Sequence, residues 1–241
     1  MTTDTIYAIG DIHGQIGMLE TCHNRIARDR GSRSAIVVHI GDLVDRGPDS
    51  RAVVDFLATG DPGWITLKGN HDALFTDWLN DPTFINPNFA LPDSHWLKDR
   101  LGGLTTLRDY GVDTTRPVAE MHAEALQNIP ASHRLFLETL PTSWQSPGLF
   151  FAHAGIRPGI ALDAQTDADL LWIRQTFHDD PSDHGALIIH GHTPIQFATH
   201  YGNRVNIDSG AGYDRPMSVI AIEGTEIFLL TGTGRTRLLP A

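Results

Sequence analysis

Cysteine is nearly missing from this chain. Its 241 residues include one, Cys22, so no internal disulfide framework is available and a reducing compartment fits. Positive charge is also in short supply: 18 Lys and Arg stand against 29 Asp and Glu, a formal charge of −11. That balance excludes the broad basic surface of a nucleic-acid binder. If phosphates are handled, the positive charge must be local, as bound metal ions would supply it. No apolar run approaches the ~20 residues that a membrane helix needs. Met1-Thr2-Thr3-Asp4 lacks the basic region and apolar stretch of a secretory signal, and no prenylation cysteine stands at the C-terminus. These absences lead to the expectation of a soluble cytoplasmic protein that binds neither nucleic acid nor membrane. With 41% hydrophobic and 20% charged residues a packed core is within reach. The length suits one ordinary domain or at most two small ones. Histidine is what the chain has in quantity, with 13.

No internal repeat, low-complexity tract or long Gly/Ser linker divides the chain. The dominant pattern is a short apolar strand that ends abruptly in a loop rich in Gly, Asp, His and Asn. Thr5–Ile9 runs into Gly10-Asp11, Ala35–Ile40 into Gly41-Asp42, and Trp64–Leu67 leads to Gly69-Asn70. Leu149–Phe151 leads to His153, and Leu187–Ile189 to Gly191-His192. Between the first three lie helical patterns: Ile16, Leu19, Cys22 and Ile26 recur at helical spacing, as do Val53, Phe56 and Leu57 after a cap at Asp49 or Ser50. Strand, loop, helix, strand implies parallel pairing, with functional loops at the carboxyl ends of the strands. Asn203–Asp208, Met217–Glu223 and Glu226–Leu230 read instead as strands separated by turns, suggesting a hairpin-rich second sheet. Residues 75–145, broken by Pro82, Pro87, Pro92, Pro117 and Pro130, read as a helical insertion over the face that carries the loops.

The loops collect Asp11, His13, Asp42, Asp45, Arg46, Asn70, His71, His153 and His192. Asp11 and His13 are two apart, which in extended chain sends both side chains to one side. Carboxylate, imidazole and amide donors together suit Mn, Fe or Zn and suit calcium poorly. Six ligand-type side chains are too many for one tetrahedral site and fit two ions sharing a bridging carboxylate. Glycines flank these residues where sharp loops and close backbone approach are cheapest for glycine. Any one Gly-Asp or His-Gly reads as an ordinary turn; five such loops in one chain do not.

As an ordered set, GDIHG (10–14), GDLVDRG (41–47), GNHD (69–72), HAG (153–155) and GHT (191–193) resemble the motifs of the metallophosphoesterases. More narrowly they resemble the PPP-type serine/threonine phosphatases and their bacterial relatives, which include symmetrical diadenosine tetraphosphate hydrolases. The VDRG element, and GHTP in place of GHxH, separate this branch from looser metallophosphoesterases. WLKDRLGGLTTLRDYG (96–111), IPASHRLFLETLP (129–141), LLWIR (170–174) and NIDSGA (206–211) are similar to segments of the bacterial phosphatase group, and the resemblance covers about residues 5–223.

The resemblance implies an α/β fold, a central sandwich of two mixed β-sheets flanked by α-helices, with the whole of 1–241 one domain. It implies that Asp11, His13 and Asp42 hold one divalent metal, and that Asp42 bridges to a second held also by Asn70, His153 and His192. Manganese is the expected ion, with Fe or Zn as alternatives. The resemblance further implies that Arg46, and Arg174 of LLWIR, bind the substrate phosphate and that His71, oriented by Asp45, is the general acid. Asp72 stands where the PPP pattern usually has Glu, a position that is no metal ligand but supports the loop.

The chemistry is consistent with those roles. Two adjacent cations lower the pKa of a shared water to give hydroxide near neutral pH, and they neutralise the phosphoryl oxygens it attacks. Arginine offers bidentate donors, and a histidine kept cationic by a carboxylate protonates the leaving alkoxide. Cys22 has no phosphate-cradling loop, so direct displacement is expected. The substrate expected is phosphoserine or phosphothreonine in proteins, with a dinucleoside polyphosphate as the alternative. Lys98, Arg100, Arg108 and Arg134 in the covering segment leave that choice open. A monomer is favoured. A catalytically dead binding module predicts a lost ligand or a lost His71, and none is missing. A dinucleotide-binding oxidoreductase requires G-x-G-x-x-G after the first strand, which GDIHGQ does not supply.

The remaining residues of interest have plainer readings. His39 is expected as satisfied core, and His190 as part of a strand end. Trp78, Trp96, Trp144 and Trp172 are expected to be packing anchors, and Cys22 inert core. Asp45 and Arg46 taken alone could be a surface ion pair, and Arg174 a solvated cation.

Overall fold

A computed structural model describes residues 5–89 and 95–241; Met1–Asp4 and Pro92 lie outside the described residues. Two sheets face each other. The first joins β1 (Ile6–Ile9), β2 (Ile36–His39) and β3 (Trp64–Thr66) in parallel, and extends on the far side of β1 through β9 (Val219–Glu223), β10 (Glu226–Thr231) and β11 (Gly234–Leu238), all antiparallel. The second has β5 (Leu149–Ala152), β6 (Leu187–His190) and β8 (Arg204–Asn206) in parallel, edged by antiparallel β4 (Ser143–Ser146) and β7 (Thr199–His200).

Alternation along the strands decides what each face buries. Ile6 and Ala8 of β1, Val38 of β2, Phe151 of β5, Ile189 of β6, Val205 of β8 and Ile220 and Ile222 of β9 form the apolar layer between the sheets. Tyr7 and Ile9 point the other way, into a second cluster with Leu19, Cys22 and Ile26 of α1 (Ile16–Arg30) and Val53, Val54 and Leu57 of α2 (Ser50–Ala58). On the outside of the second sheet Phe150, Ala152 and Ile188 pack with Leu170 of α7 (Asp167–Trp172) and Phe177 of α8 (Gln175–His178). Each such apolar side chain contributes about 1.5–3 kcal/mol when fully buried, so both faces of both sheets are committed.

The mixed two-sheet architecture is as expected, but the C-terminal hairpins are not in the second sheet. β8 alone of the three late strands lies there, while β9 and β10 extend the first sheet, with Ile9 opposite Val219 and Ile6 opposite Ile222. The reason is burial: only beside β1 do Ile220 and Ile222 reach the layer between the sheets. Prolines 117 and 130 stand immediately before α5 (Val118–Asn128) and α6 (Ala131–Thr139), starting helices where the ring's fixed φ is already suitable. These two pack with α2 and α3 (Asn70–Asn80), and α4 (Gly103–Asp109) packs on α2. Among the described residues no helix is long and apolar enough to cross a membrane.

Candidate active site

Six parallel strands end on one edge of the sandwich, and the loops that follow β1, β2, β3, β5, β6 and β8 meet there. Such crowding needs unusual backbone. Among the described residues six other than glycine have left-handed φ, and five of them are His13 (48°), Asp42 (52°), Asp45 (74°), Arg46 (68°) and His192 (66°). Side chains seldom tolerate this region, and strain of this kind concentrates at functional sites. Glycine is obligatory at two contacts. A Cβ on Gly191 would lie 2.0 Å from Asp11 Oδ1, and one on Gly69 would lie 2.1 Å from the Asp42 nitrogen.

Asp42 is the centre. Its Oδ2 lies 3.3 Å from His13 Nε2 and its Oδ1 3.3 Å from His153 Nε2. His13 Nδ1 is 2.9 Å from the Val44 carbonyl, and His153 Nδ1 is 3.0 Å from the Ile40 carbonyl. A carbonyl can only accept, so each ring carries its proton on Nδ1 and turns the Nε2 lone pair inward. Asn70 Oδ1 is 2.9 Å from His153 Nε2 and 2.7 Å from His192 Nδ1. The result is a group of acceptor atoms facing one another with too few protons between them, which is the requirement of a cation site. His13, Asp42 and His71 place ligand atoms within 4.8 Å of one another, and so do Asp42, His153 and His192. Asp42 belongs to both sets.

Burial supports the same picture. Desolvation, with Arg46 next, pulls the His13 pKa down; desolvation lowers His153 to about 4 and His192 well below the ordinary value. Neutral imidazoles are the ligating form. Asp11, capped by the His192 backbone N–H at 3.1 Å, is pushed upward by burial and then by Asp208 and Asp42. An excess of buried negative charge is relieved by divalent ions. The donor set therefore fits such ions.

Strand alternation, expected to pair Asp11 with His13, is not what brings them to the site. β1 stops at Ile9, and the chain turns at His13, whose N–H and that of Ile12 both donate to the Asp42 carbonyl. Convergence comes from this turn. Asp11 stands beside the two sets, tied to the His192 loop.

His71 and Arg46 occupy the neighbouring wall. His71 Nδ1 lies 2.6 Å from Asp45 Oδ2, and its Nε2 is 3.0 Å from Arg46 Nη2. Arg46 Nη1 is 2.5 Å from His13 Nε2, and its guanidinium lies 4.9 Å from the centroid of the Tyr213 ring. Arg174 donates from Nη1 to Thr193 Oγ1 at 2.9 Å and feels the charges of Asp42, Arg46 and Asp11. Asp72 accepts from Leu43 N at 2.9 Å and Gly69 N at 2.8 Å, stitching the second loop to the third. Burial, and then Asp42, push its pKa up to about 8.

Several participants are not evident in the sequence. Trp96, expected only to pack, also donates from Nε1 to Asp45 Oδ2 at 2.7 Å, and Thr106 Oγ1 donates to Asp45 Oδ1 at 2.6 Å. Gly212 packs against His13 and Arg46, and Asp208 adds a buried carboxylate that Asp11 senses. The signal for Asp208 was NIDSGA, whose strand-to-turn step resembles the other loops; Gly212 lies one residue beyond it. His39 is satisfied core, as expected, bonded to His23 and Thr66. Cys22 is buried on α1 with its thiol pushed up to about 12 by desolvation.

Comparison with known proteins adds the following. The family described as calcineurin-like phosphoesterase matches residues 5–221. Serine/threonine-protein phosphatase 1 of Salmonella typhimurium is 27% identical over 227 residues, 90% of this chain and 92% of that protein. The symmetrical bis(5'-nucleosyl)-tetraphosphatase of Dechloromonas aromatica is 42% identical over 66 residues, 27% of this chain and only 23% of that protein. A solved structure provisionally described as a diadenosine tetraphosphatase superposes with a TM-score of 0.65 at 20% identity, over 99% of this chain and 96% of that one. That last likeness is one of fold.

Proposed function

The chain belongs to the calcineurin-like phosphoesterase family, and we propose that it hydrolyses phosphomonoesters, with phosphoserine and phosphothreonine in proteins as its substrates. Membership makes it a hydrolase, a metal-dependent phosphatase. The observation that carries the mechanism is the carboxylate of Asp42, with one oxygen toward His13 and the other toward His153.

In this reading Asp11, His13 and Asp42 hold one divalent ion, and Asp42, Asn70, His153 and His192 a second, with manganese favoured over Fe or Zn. Ions bound there supply charge neutralisation for phosphoryl oxygens and a lowered pKa for an attacking water. The rest falls to the chain. Arg46, between the two rings, clamps the phosphoryl oxygens as a bidentate donor, and Arg174 adds a second contact from the opposite loop. His71 presents Nε2 to the leaving oxygen while Asp45 holds Nδ1–H. Asp45 is fully buried and already bonded by Trp96 and Thr106, so it fixes the ring's orientation. Cys22, buried with a raised pKa, is no candidate nucleophile; displacement is direct. We read 1–241 as one domain acting as a monomer.

Similarity to a serine/threonine phosphatase along nine-tenths of the chain supports the phosphoprotein substrate. The shorter but closer match to a tetraphosphatase supports dinucleoside polyphosphate cleavage as the second reading. The deciding experiment compares phosphate release from phosphoserine peptide, phosphotyrosine peptide and diadenosine tetraphosphate by manganese-loaded protein. Highest kcat/KM on the phosphoserine peptide is expected; a preference for the dinucleotide would replace the first reading by the second.

A further inference from the structure

Arg204 is a buried cation that the metal-ligand cluster does not use. It stands on β8 opposite Ile188, on the face of the second sheet turned away from the first, and is 9% exposed. Its guanidinium lies 4.0 Å from the Tyr201 ring centroid and 5.7 Å from that of Phe177. Among the described residues this guanidinium makes no hydrogen bond and no ion pair, and its Nε is buried without a partner. Asp179 favours the charge from a distance but does not pair with it.

Histidines complete the surroundings. Around the Phe177 ring lie His190 at 5.1 Å, His184 at 5.7 Å and His178 at 6.0 Å, centroid to centroid. The Nε2 of His178 is likewise buried with no partner among the described residues, whereas His190 Nδ1 lies 3.2 Å from the Gly191 carbonyl, which leaves its Nε2 an acceptor. Asn203 Nδ2 donates to the Asp180 and Ser182 carbonyls, both at 2.9 Å, and so ties the adjoining loop to the start of β8. Burial and Arg204 lower the pKa of His178 and His190.

Burial leaves Nε without a partner, and stacking on aromatic faces leaves the planar N–H donors unused. A metal is disfavoured by Arg204 itself, and the three imidazoles do not draw together as a ligand set. The missing partner is an anion. We propose that Arg204, with His178 beside it, binds a tetrahedral oxyanion of the phosphate class at a site separate from the metal-ligand cluster. Arginine's fork matches such oxygens bidentately. The source is either free phosphate or the phosphoryl group of a phosphorylated segment. The proposal goes beyond the substrate reading and stands or falls apart from it.

The test is an NMR titration of arginine Nε–H resonances in the zinc-loaded, diamagnetic protein. Inorganic phosphate is added in one arm and a phosphoserine peptide in the other. The Arg204 resonance, identified by its loss in Arg204→Met, is expected to shift and saturate. A shift with inorganic phosphate shows that the free ion suffices; a shift with the peptide alone identifies a substrate segment. By calorimetry the wild type is expected to take two phosphates and Arg204→Met one, with competitive inhibition by phosphate unchanged. Arg204→Lys, which keeps the charge, is expected to retain the site at about tenfold lower affinity. An unmoved Arg204 resonance in both arms, or equal phosphate stoichiometry in Arg204→Met and wild type, overturns the proposal.

Discussion

His71 Nδ1 and Asp45 Oδ2 stand 2.6 Å apart with both side chains buried. The pairing leaves His71 Nε2 turned toward the cluster, 3.0 Å from Arg46 Nη2. If His71 delivers the proton to the leaving oxygen, His71→Asn lowers kcat by about 10²–10⁴-fold, the usual worth of general acid catalysis. The metal content of that variant stays at the wild-type value. Loss of metal along with activity would make His71 a ligand instead of an acid.

Trp96 offers a gentler probe of the same pair. Trp96→Phe keeps an aromatic ring against Phe75 and Trp78 and deletes the N–H that Asp45 receives. A hydrogen bond to a charged group is worth about 1.5–3 kcal/mol, so turnover is expected to fall by about tenfold or more. Steady-state kinetics on the variant, with its melting temperature as control, read this directly. An unchanged kcat would show that Asp45 is held by His71 and Thr106 alone.

How far the sequence disclosed these relationships depends on where the partners lie. Asp42 was legible because a strand followed by Gly-Asp places the carboxylate at a strand's end whatever the rest of the chain does. Trp96 was not legible: its partner is 51 residues away, and an indole that packs reads the same as one that also donates. The same limit applies to β9 and β10. Their alternation announces strands, but alternation carries no information on which sheet they join; the neighbour is chosen by burial of Ile220 and Ile222. β7, two residues long, has no pattern to read.

Asp72 is expected to matter for stability more than for chemistry. Its two oxygens accept from Leu43 N and Gly69 N, and Asp72→Ala leaves both buried donors without partners. Each orphaned group costs about 1–3 kcal/mol. A fall in melting temperature with metal restored is the expected result. Unaltered stability would mean that the loop finds other acceptors.

Buried histidines set the acid limit. Burial lowers His39 to about 3 and His23 to about 4, against about 6.5 in an unfolded chain. Between those values and about pH 6.5 the unfolded chain holds more protons, so stability rises with pH through that window. This contribution is fully present above about pH 6.5 and is lost as pH falls toward 3–4. Each tenfold difference in proton affinity between the folded and unfolded chain is worth ~1.4 kcal/mol. His39→Leu removes one titrating group, and its melting temperature is expected to vary less steeply between about pH 4 and 6.5. A wild-type slope in that variant would assign the acid sensitivity elsewhere.

The bridging role of Asp42 is tested most directly by phosphate release from a phosphoserine peptide as manganese is titrated back into chelator-stripped protein. No turnover is expected without metal, full recovery at two equivalents per chain, and no recovery in Asp42→Asn. Turnover that continues in the stripped protein, or full activity in Asp42→Asn, would contradict that role.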